Sequence, residues 1–112
     1  MKRIEAIIQP HQFEAVQKSL TSAHVNGVTV SEVRGFGHQG GKTHLYRGAE
    51  YSVEFLPKIQ LTILTPEDQV DTIVAAIQTA AYTGKIGDGK IFVMPVEDVI
   101  RIRTGEHGRQ AL

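Results

Sequence analysis

Lys58-Ile59-Gln60-Leu61-Thr62-Ile63-Leu64-Thr65-Pro66-Glu67-Asp68 is the stretch on which the fold turns. Ile59, Leu61 and Ile63 alternate with other residues at the period of a half-buried strand. Thr65-Pro66-Glu67-Asp68 then reads as a helix start, with a Thr N-cap, Pro at the first helical position and two acids where the helix dipole favours them. Val70, Ile73, Val74 and Ile77 continue as a buried helical stripe. The same grammar opens the chain. Lys2 to Ile8 is a short β-branched run bounded by Pro10 and reads as a strand. Phe13, Val16, Leu20 and Ala23 fall three or four apart, which predicts a helix over Gln12 to Ala23. Asn26-Gly27 is a turn signal, and Val28 to Arg34 reads as the next strand. On the far side of the central stretch, Thr83 to Lys90 is a glycine-rich loop and Ile91 to Met94 a fourth strand. Val99 to Arg103 is either a short fifth strand or an irregular tail.

The order is therefore β-α-β, a long loop, then β-α-β. Ile8-Gln9-Pro10 and Leu64-Thr65-Pro66 each end a strand and launch a helix, and Gly27 and Gly89 each precede the next strand, so the halves form a weak repeat. Two split βαβ units give an α+β, ferredoxin-like fold, a four-stranded antiparallel sheet with two helices on one face. The opposite face is left bare, and oligomerisation is the simplest way to cover its apolar residues.

Composition narrows the function. The 112 residues suit one domain of sufficient core, so no staple is needed. Twelve Lys+Arg balance twelve Asp+Glu, which argues against a general nucleic-acid binder. The absence of cysteine excludes disulfides, thiolate metal sites and thiol nucleophiles. No apolar run reaches the roughly 20 residues of a membrane span. The expectation is a cytoplasmic protein without a signal peptide.

Three features carry chemistry. Gly35 to Leu56 lacks periodicity and holds Gly35, Gly37, Gly40, Gly41 and Gly48 beside Tyr46, Arg47, Tyr51 and Phe55. Such a loop suits a partner-binding arm, or a surface loop without a role. Gly84-Lys85-Ile86-Gly87-Asp88-Gly89-Lys90 satisfies G-x-x-x-x-G-K, but residue 91 is Ile rather than a hydroxyl and a strand follows where a P-loop needs a helix. Glycine N–H groups with Lys85 and Lys90 still suit a phosphate cradle of another build; an ordinary turn after a helix-capping Gly84 fits as well. Asp88 is the one candidate acid here, and turn formation explains it equally. Arg101 and Arg103, two apart on an extended segment, would point the same way and suit phosphate oxygens, or would form a solvated basic edge. His11, His24, His38, His44 and His107 show no metal-ligand spacing.

Four motifs in order then resemble the PII nitrogen-regulatory signal-transduction proteins. Thr83 followed by Gly84-Lys85-Ile86-Gly87-Asp88-Gly89-Lys90-Ile91 looks like that family's B-loop (about 83–90). Tyr46-Arg47-Gly48-Ala49-Glu50-Tyr51 resembles the tip of its T-loop (about 37–56), and Gly35-Phe36-Gly37 the base. Val99-Ile100-Arg101-Ile102-Arg103-Thr104-Gly105-Glu106 resembles its C-loop (about 99–106). The opening Met1-Lys2-Arg3-Ile4-Glu5-Ala6-Ile7-Ile8 is similar too, so the likeness spans a single domain, 1–112.

That resemblance implies a homotrimer with nucleotide sites between neighbours. ATP or ADP would meet Gly87, Asp88, Gly89 and Lys90, with Thr29, Gly37 and Gln39 near the base and Arg101 and Arg103 reaching in from the adjacent subunit. Gln39 would complete the coordination of Mg2+. The effector 2-oxoglutarate would chelate that Mg2+, held by the backbone of Gln39, Gly40 and Gly41, with Lys58 pairing its distal carboxylate. Tyr51 would be the nucleotidylation site. Implied partners are ammonium transporters, nucleotidyltransferases, kinases or metabolic enzymes, with no direct nucleic-acid contact and membrane contact only through a transporter. His38 and Gly40 stand where the family often has Arg and Lys, and Ala49 replaces a serine that some members phosphorylate. A slow ATP-hydrolysing or phosphoryl-transfer enzyme is the alternative from another class, and an inert scaffold of the same fold a third. No positioned general base supports the enzyme.

Overall fold

The computed structural model describes residues 1–36, 44–46, 50–52 and 55–112. Among these, the order is β1 (Lys2–Ile8), α1 (Phe13–Ser22), β2 (Thr29–Gly35), β3 (His44–Tyr46), β4 (Glu50–Ser52), β5 (Leu56–Thr65), α2 (Val70–Ala81) and β6 (Lys90–Pro95). The main sheet has the order β2-β5-β1-β6. Every pairing in it is antiparallel, with Ile4 opposite Ile63 and Val93, and Ala6 opposite Leu61 and Ile91. This is the expected ferredoxin-like sheet.

Strand alternation sorts the residues. Ile4, Ala6 and Ile8 of β1 and Leu61 and Ile63 of β5 are buried against Val16 and Leu20 of α1 and Ile73, Ile77 and Ala81 of α2. Each large side chain so buried stabilises the fold by roughly 1.5–3 kcal/mol. Two polar stitches fix the helices to each other: Ser19 Oγ donates to the Ala76 carbonyl at 3.0 Å, and Gln12 Nε2 to the Ala80 carbonyl at 3.0 Å.

The other row, including Arg3, Glu5, Gln60, Thr62, Leu64 and Phe92, lies on the face away from the helices. It is more polar than expected, for Arg3 and Glu5 pair at 2.8 Å. Leu64 and Phe92 nevertheless remain 43% and 41% exposed. No helix among the described residues is long and apolar enough to cross a membrane.

Several sequence expectations need correction. Thr65 does not cap α2. It is the last residue of β5, pairs with Lys2, and donates its hydroxyl to the Pro66 carbonyl at 3.1 Å. Pro66 stays extended, and a 3-10 turn, Glu67–Gln69, leads into the helix. α1 likewise begins after a 3-10 turn, Pro10–Gln12, and ends at Ser22. The long loop contains a hairpin, with His44 opposite Ser52 and Tyr46 opposite Glu50. Three residues per strand are too few for periodicity to register. Of the two readings of Val99 to Arg103 the irregular one holds, with an isolated bridge between Ile100 and His107. Gly37, His38, Gln39, Gly40, Gly41, Arg47, Gly48 and Ala49 lie outside the described residues.

Candidate functional site

The loop between α2 and β6 is built by its own acid. Asp88 accepts hydrogen bonds from the backbone N–H groups of Thr83 (2.8 Å) and Gly84 (2.9 Å), and from the Thr83 hydroxyl. Gly84, Gly87 and Gly89 have φ of 85°, 106° and 100°. Asp88 is thus a staple that shapes the loop, with its carboxylate turned on the loop's own donors. The Thr83 hydroxyl and amide and the Gly84 amide, helped by the Lys58 charge, hold its carboxyl below the usual aspartate range, against a smaller opposing effect of burial.

A pH dependence follows from that depressed pKa. The staple is complete above the ordinary aspartate pKa and is lost as pH falls through the lower folded-state value. In NMR titrations, the Thr83 and Gly84 amide protons should shift together with a midpoint below about 3.9. A midpoint at or above that value contradicts the staple.

Gly89 fixes the loop to the sheet. A Cβ built there would lie 1.7 Å from the Ile7 carbonyl oxygen. Only glycine permits this approach, and it delivers Lys90 to the start of β6 beside Ile7.

Lys58 completes this end. Its side chain leaves β5, is only 6% exposed, and donates from Nζ to the Gly87 carbonyl at 2.7 Å. Among the described residues no carboxylate lies within ion-pair distance of Nζ. Among the described residues this nearly buried ammonium has one hydrogen-bond partner, a neutral carbonyl, and the Asp88 carboxylate acts on it only from beyond ion-pair distance. No group of three or more acidic or His residues able to hold a metal occurs among the described residues.

Thr29 lies elsewhere. It begins β2 opposite Thr62 and lines a pocket of about 1180 Å3 together with Leu64, Val99 and Leu112. β2 and β6 are opposite edges, three interstrand steps or roughly 14 Å apart. The expected site residues therefore fall into two groups: Lys58 with the 83–90 loop, and Thr29 with the C-terminal segment.

The arginines do not form the expected parallel pair. Residues 102–104 turn, because the Gly105 N–H donates to the Arg101 carbonyl at 2.7 Å and the Arg101 N–H to the Glu106 carbonyl at 2.9 Å. The Arg101 guanidinium donates to the Leu112 carbonyl at 2.9 Å and meets the Glu106 carboxylate at 3.4 Å. Arg103 is exposed and makes no ion pair among the described residues. Asp98 and His107 Nδ1, 2.8 Å apart, clasp the segment behind it, and that bond holds the Asp98 carboxyl below its usual range.

Sequence reasoning missed the Thr83 clamp, the Glu106 brace and the Thr62 and Leu64 pocket wall. Thr83 had a signal, since a hydroxyl five residues before an Asp across glycines marks a side-chain-bonded turn. Asp98 with His107 had none, because nine residues separate them across an irregular segment.

Comparison with known proteins agrees with this architecture. A family model described as Nitrogen regulatory protein P-II matches residues 1–106. The chain is 57% identical over all 112 residues to the Nitrogen regulatory protein P-II of Pasteurella multocida, covering 100% of both chains. The protein of that name from Azospirillum brasilense is 54% identical with the same full coverage. A crystal structure of Arabidopsis thaliana PII bound to citrate superposes with a TM-score of 0.81 at 41% identity, over 99% of this chain and 91% of that one. The chain therefore belongs to the nitrogen regulatory protein P-II family, whose members are signalling proteins rather than enzymes.

Proposed function

We propose that the protein is a cytoplasmic sensor that reads ATP against ADP, and 2-oxoglutarate, at sites formed between copies of a homotrimer. The observation that carries this reading is Lys58, nearly buried beside the glycine loop with no carboxylate in ion-pair range among the described residues. A buried cation whose one hydrogen-bond partner among the described residues is a carbonyl, next to a glycine-rich backbone, suits a small anion. The Arabidopsis relative binds citrate, a polycarboxylate, and that supports an organic acid as the effector.

Gly87, Gly89 and Lys90 would cradle the nucleotide phosphates, with Asp88 holding the cradle's shape. Thr29 would meet the nucleotide from the second group, and Arg103 would reach the phosphates from a neighbouring copy while Arg101 braces its turn. Thr29 on β2 and Lys90 on β6 stand on opposite edge strands, roughly 14 Å apart across the sheet of one chain, and that supports a site shared between copies. Gln39 would complete Mg2+ coordination, and Gly37, Gly40 and Gly41 would offer backbone to the nucleotide and effector. Lys58 would pair with the distal carboxylate of 2-oxoglutarate. Mg2+ would supply a chelation point joining effector to nucleotide.

Output would pass through the T-loop, about 37–56, which emerges from the strands that carry Lys58 and Thr29. Tyr51 would be its nucleotidylation site. The B-loop (about 83–90) and C-loop (about 99–106) would complete one domain spanning 1–112. The regulated partners would be ammonium transporters, nucleotidyltransferases, kinases or metabolic enzymes, with the membrane met only through a transporter. Each ligand would act by binding alternative T-loop states with different affinity.

The alternative is a slow ATP-hydrolysing enzyme, and a phosphate-release assay on the ATP-saturated protein separates the two. Saturable ATP binding without phosphate release beyond the uncatalysed rate is expected. Sustained multiple turnover would overturn the sensor reading.

A further inference from the structure

Asn26 is the single asparagine of the chain, and Gly27 follows it. The pair lies in the irregular segment between α1 and β2, and both residues are exposed. Among the described residues, neither the Asn26 side chain nor the Gly27 N–H makes a hydrogen bond. The local backbone does not demand a glycine. Its φ lies outside the left-handed region, and a Cβ added to it would meet nothing within 4 Å. Asp88-Gly89 is the related pair in the second half of the chain, and it is built the opposite way. The Asp88 carboxylate is engaged by Thr83 and Gly84, and Gly89 is pressed against the Ile7 carbonyl.

We propose that Asn26-Gly27 is a self-modification site, at which the Asn26 side chain deamidates to aspartate and isoaspartate. A free side-chain amide is an electrophile, and the peptide nitrogen that follows it is the nucleophile. The Gly27 nitrogen bonds to Asn26 Cγ, the Cγ–Nδ2 bond breaks, and Nδ2 leaves as ammonia with the proton that the Gly27 nitrogen gives up. The product is a cyclic succinimide. Water then opens the ring. Attack at Cγ restores the original main chain and leaves an aspartate. Attack at the Asn26 carbonyl carbon routes the main chain through Cβ and Cγ and leaves an isoaspartate. Water is the only co-reactant. Glycine favours the ring because it has no Cβ to crowd the attack.

Either product adds a carboxylate to a chain whose twelve acids balance twelve bases. Isoaspartate also lengthens the main chain by one carbon, shortly before Thr29 opens β2. Asn26, Gly27 and Thr29 line the same pocket of about 1180 Å3. A new anion on that wall repels a phosphorylated ligand. This consequence rests on the nucleotide contact proposed above for Thr29; the conversion itself does not.

Fresh full-length protein, held warm at mildly alkaline pH, is followed by intact mass, peptide mapping and enzymatic methylation of isoaspartyl carboxylates. The expected result is a gain of one acid per chain at Asn26, part of it isoaspartate, while the Asp88-Gly89 peptide stays unmodified. Gly27→Ala, whose added carbon meets nothing, should keep the wild-type Tm and convert at least tenfold more slowly. A synthetic peptide of residues 23–30 serves as the unfolded reference. If that peptide converts while Asn26 of the folded protein does not, or if Gly27→Ala converts as fast as the wild type, the inference is wrong. Mg-ATP is then titrated into fresh protein and into Asn26→Asp, with an affinity at least threefold weaker expected for the variant. Conversion at Asn26 together with equal Mg-ATP affinities would uphold the modification site and overturn the Thr29 contact.

Discussion

Gly89→Ala should abolish nucleotide binding and destabilise the protein more than an ordinary substitution does. The added Cβ would lie 1.7 Å from the Ile7 carbonyl oxygen, and the residue holds φ at +100°. The atom it would strike is backbone, near the end of β1, so no rotamer change relieves the clash. Either the 83–90 loop lifts off β1 or the β1–β6 pairing opens. The expected cost exceeds about 4 kcal/mol, the exceptional range for a point substitution. That corresponds to a fall in Tm of roughly 15 °C or more, with ATP affinity reduced at least a hundredfold. Gly27→Ala is the matched control. Nothing lies within 4 Å of its added carbon, and its Tm should stay near that of the wild type. Calorimetric melting of both variants checks this, and a Gly89→Ala protein with wild-type Tm and ATP affinity would remove the close approach as the loop's anchor.

Lys58→Met should separate effector binding from folding. Methionine matches the length of the lysine stem and takes a charge out of a position that is only 6% exposed. Replacing a poorly answered buried charge with an apolar side chain is often neutral for stability. The Gly87 carbonyl loses its donor, so a modest drop in ATP affinity is expected as the loop relaxes. For 2-oxoglutarate the loss is larger. A hydrogen bond to a charged group contributes about 1.5–3 kcal/mol, a factor of roughly ten to a hundred in affinity. Titration of both ligands into both proteins gives the two ratios. Equal losses for ATP and 2-oxoglutarate would make Lys58 a loop support rather than an effector ligand.

Much of this was legible in the sequence, and the parts that were not share a cause. Alternation in Ile59, Leu61 and Ile63 and the stripe of Ile73 and Ile77 identified β5 and α2, because burial on one face leaves a period behind. The two Pro-marked strand ends identified the repeat and so the sheet. What failed was local competition. Thr65 has the residue type of a cap, but its ladder partner Lys2 keeps it in the strand. Arg101 and Arg103 have the spacing of a parallel pair only on extended backbone, and Glu106 with Gly105 folds that backbone into a turn.

The site was harder to read than the core. Asp88 as a staple was foreseeable from its glycine-flanked turn. The contact of Lys58 with Gly87 spans 29 residues and carries no sequence period. That Thr29 and Lys90 fall on opposite edge strands appears only when the strand order is known.

The most direct measurement is a calorimetric titration of 2-oxoglutarate into the wild-type protein with Mg-ATP, with Mg-ADP and with neither. Saturable binding only in the presence of Mg-ATP is the predicted result, since the effector would need the nucleotide's Mg2+ as well as the Lys58 charge. Binding of equal strength in all three conditions, or none with Mg-ATP present, would contradict a nucleotide-gated effector site.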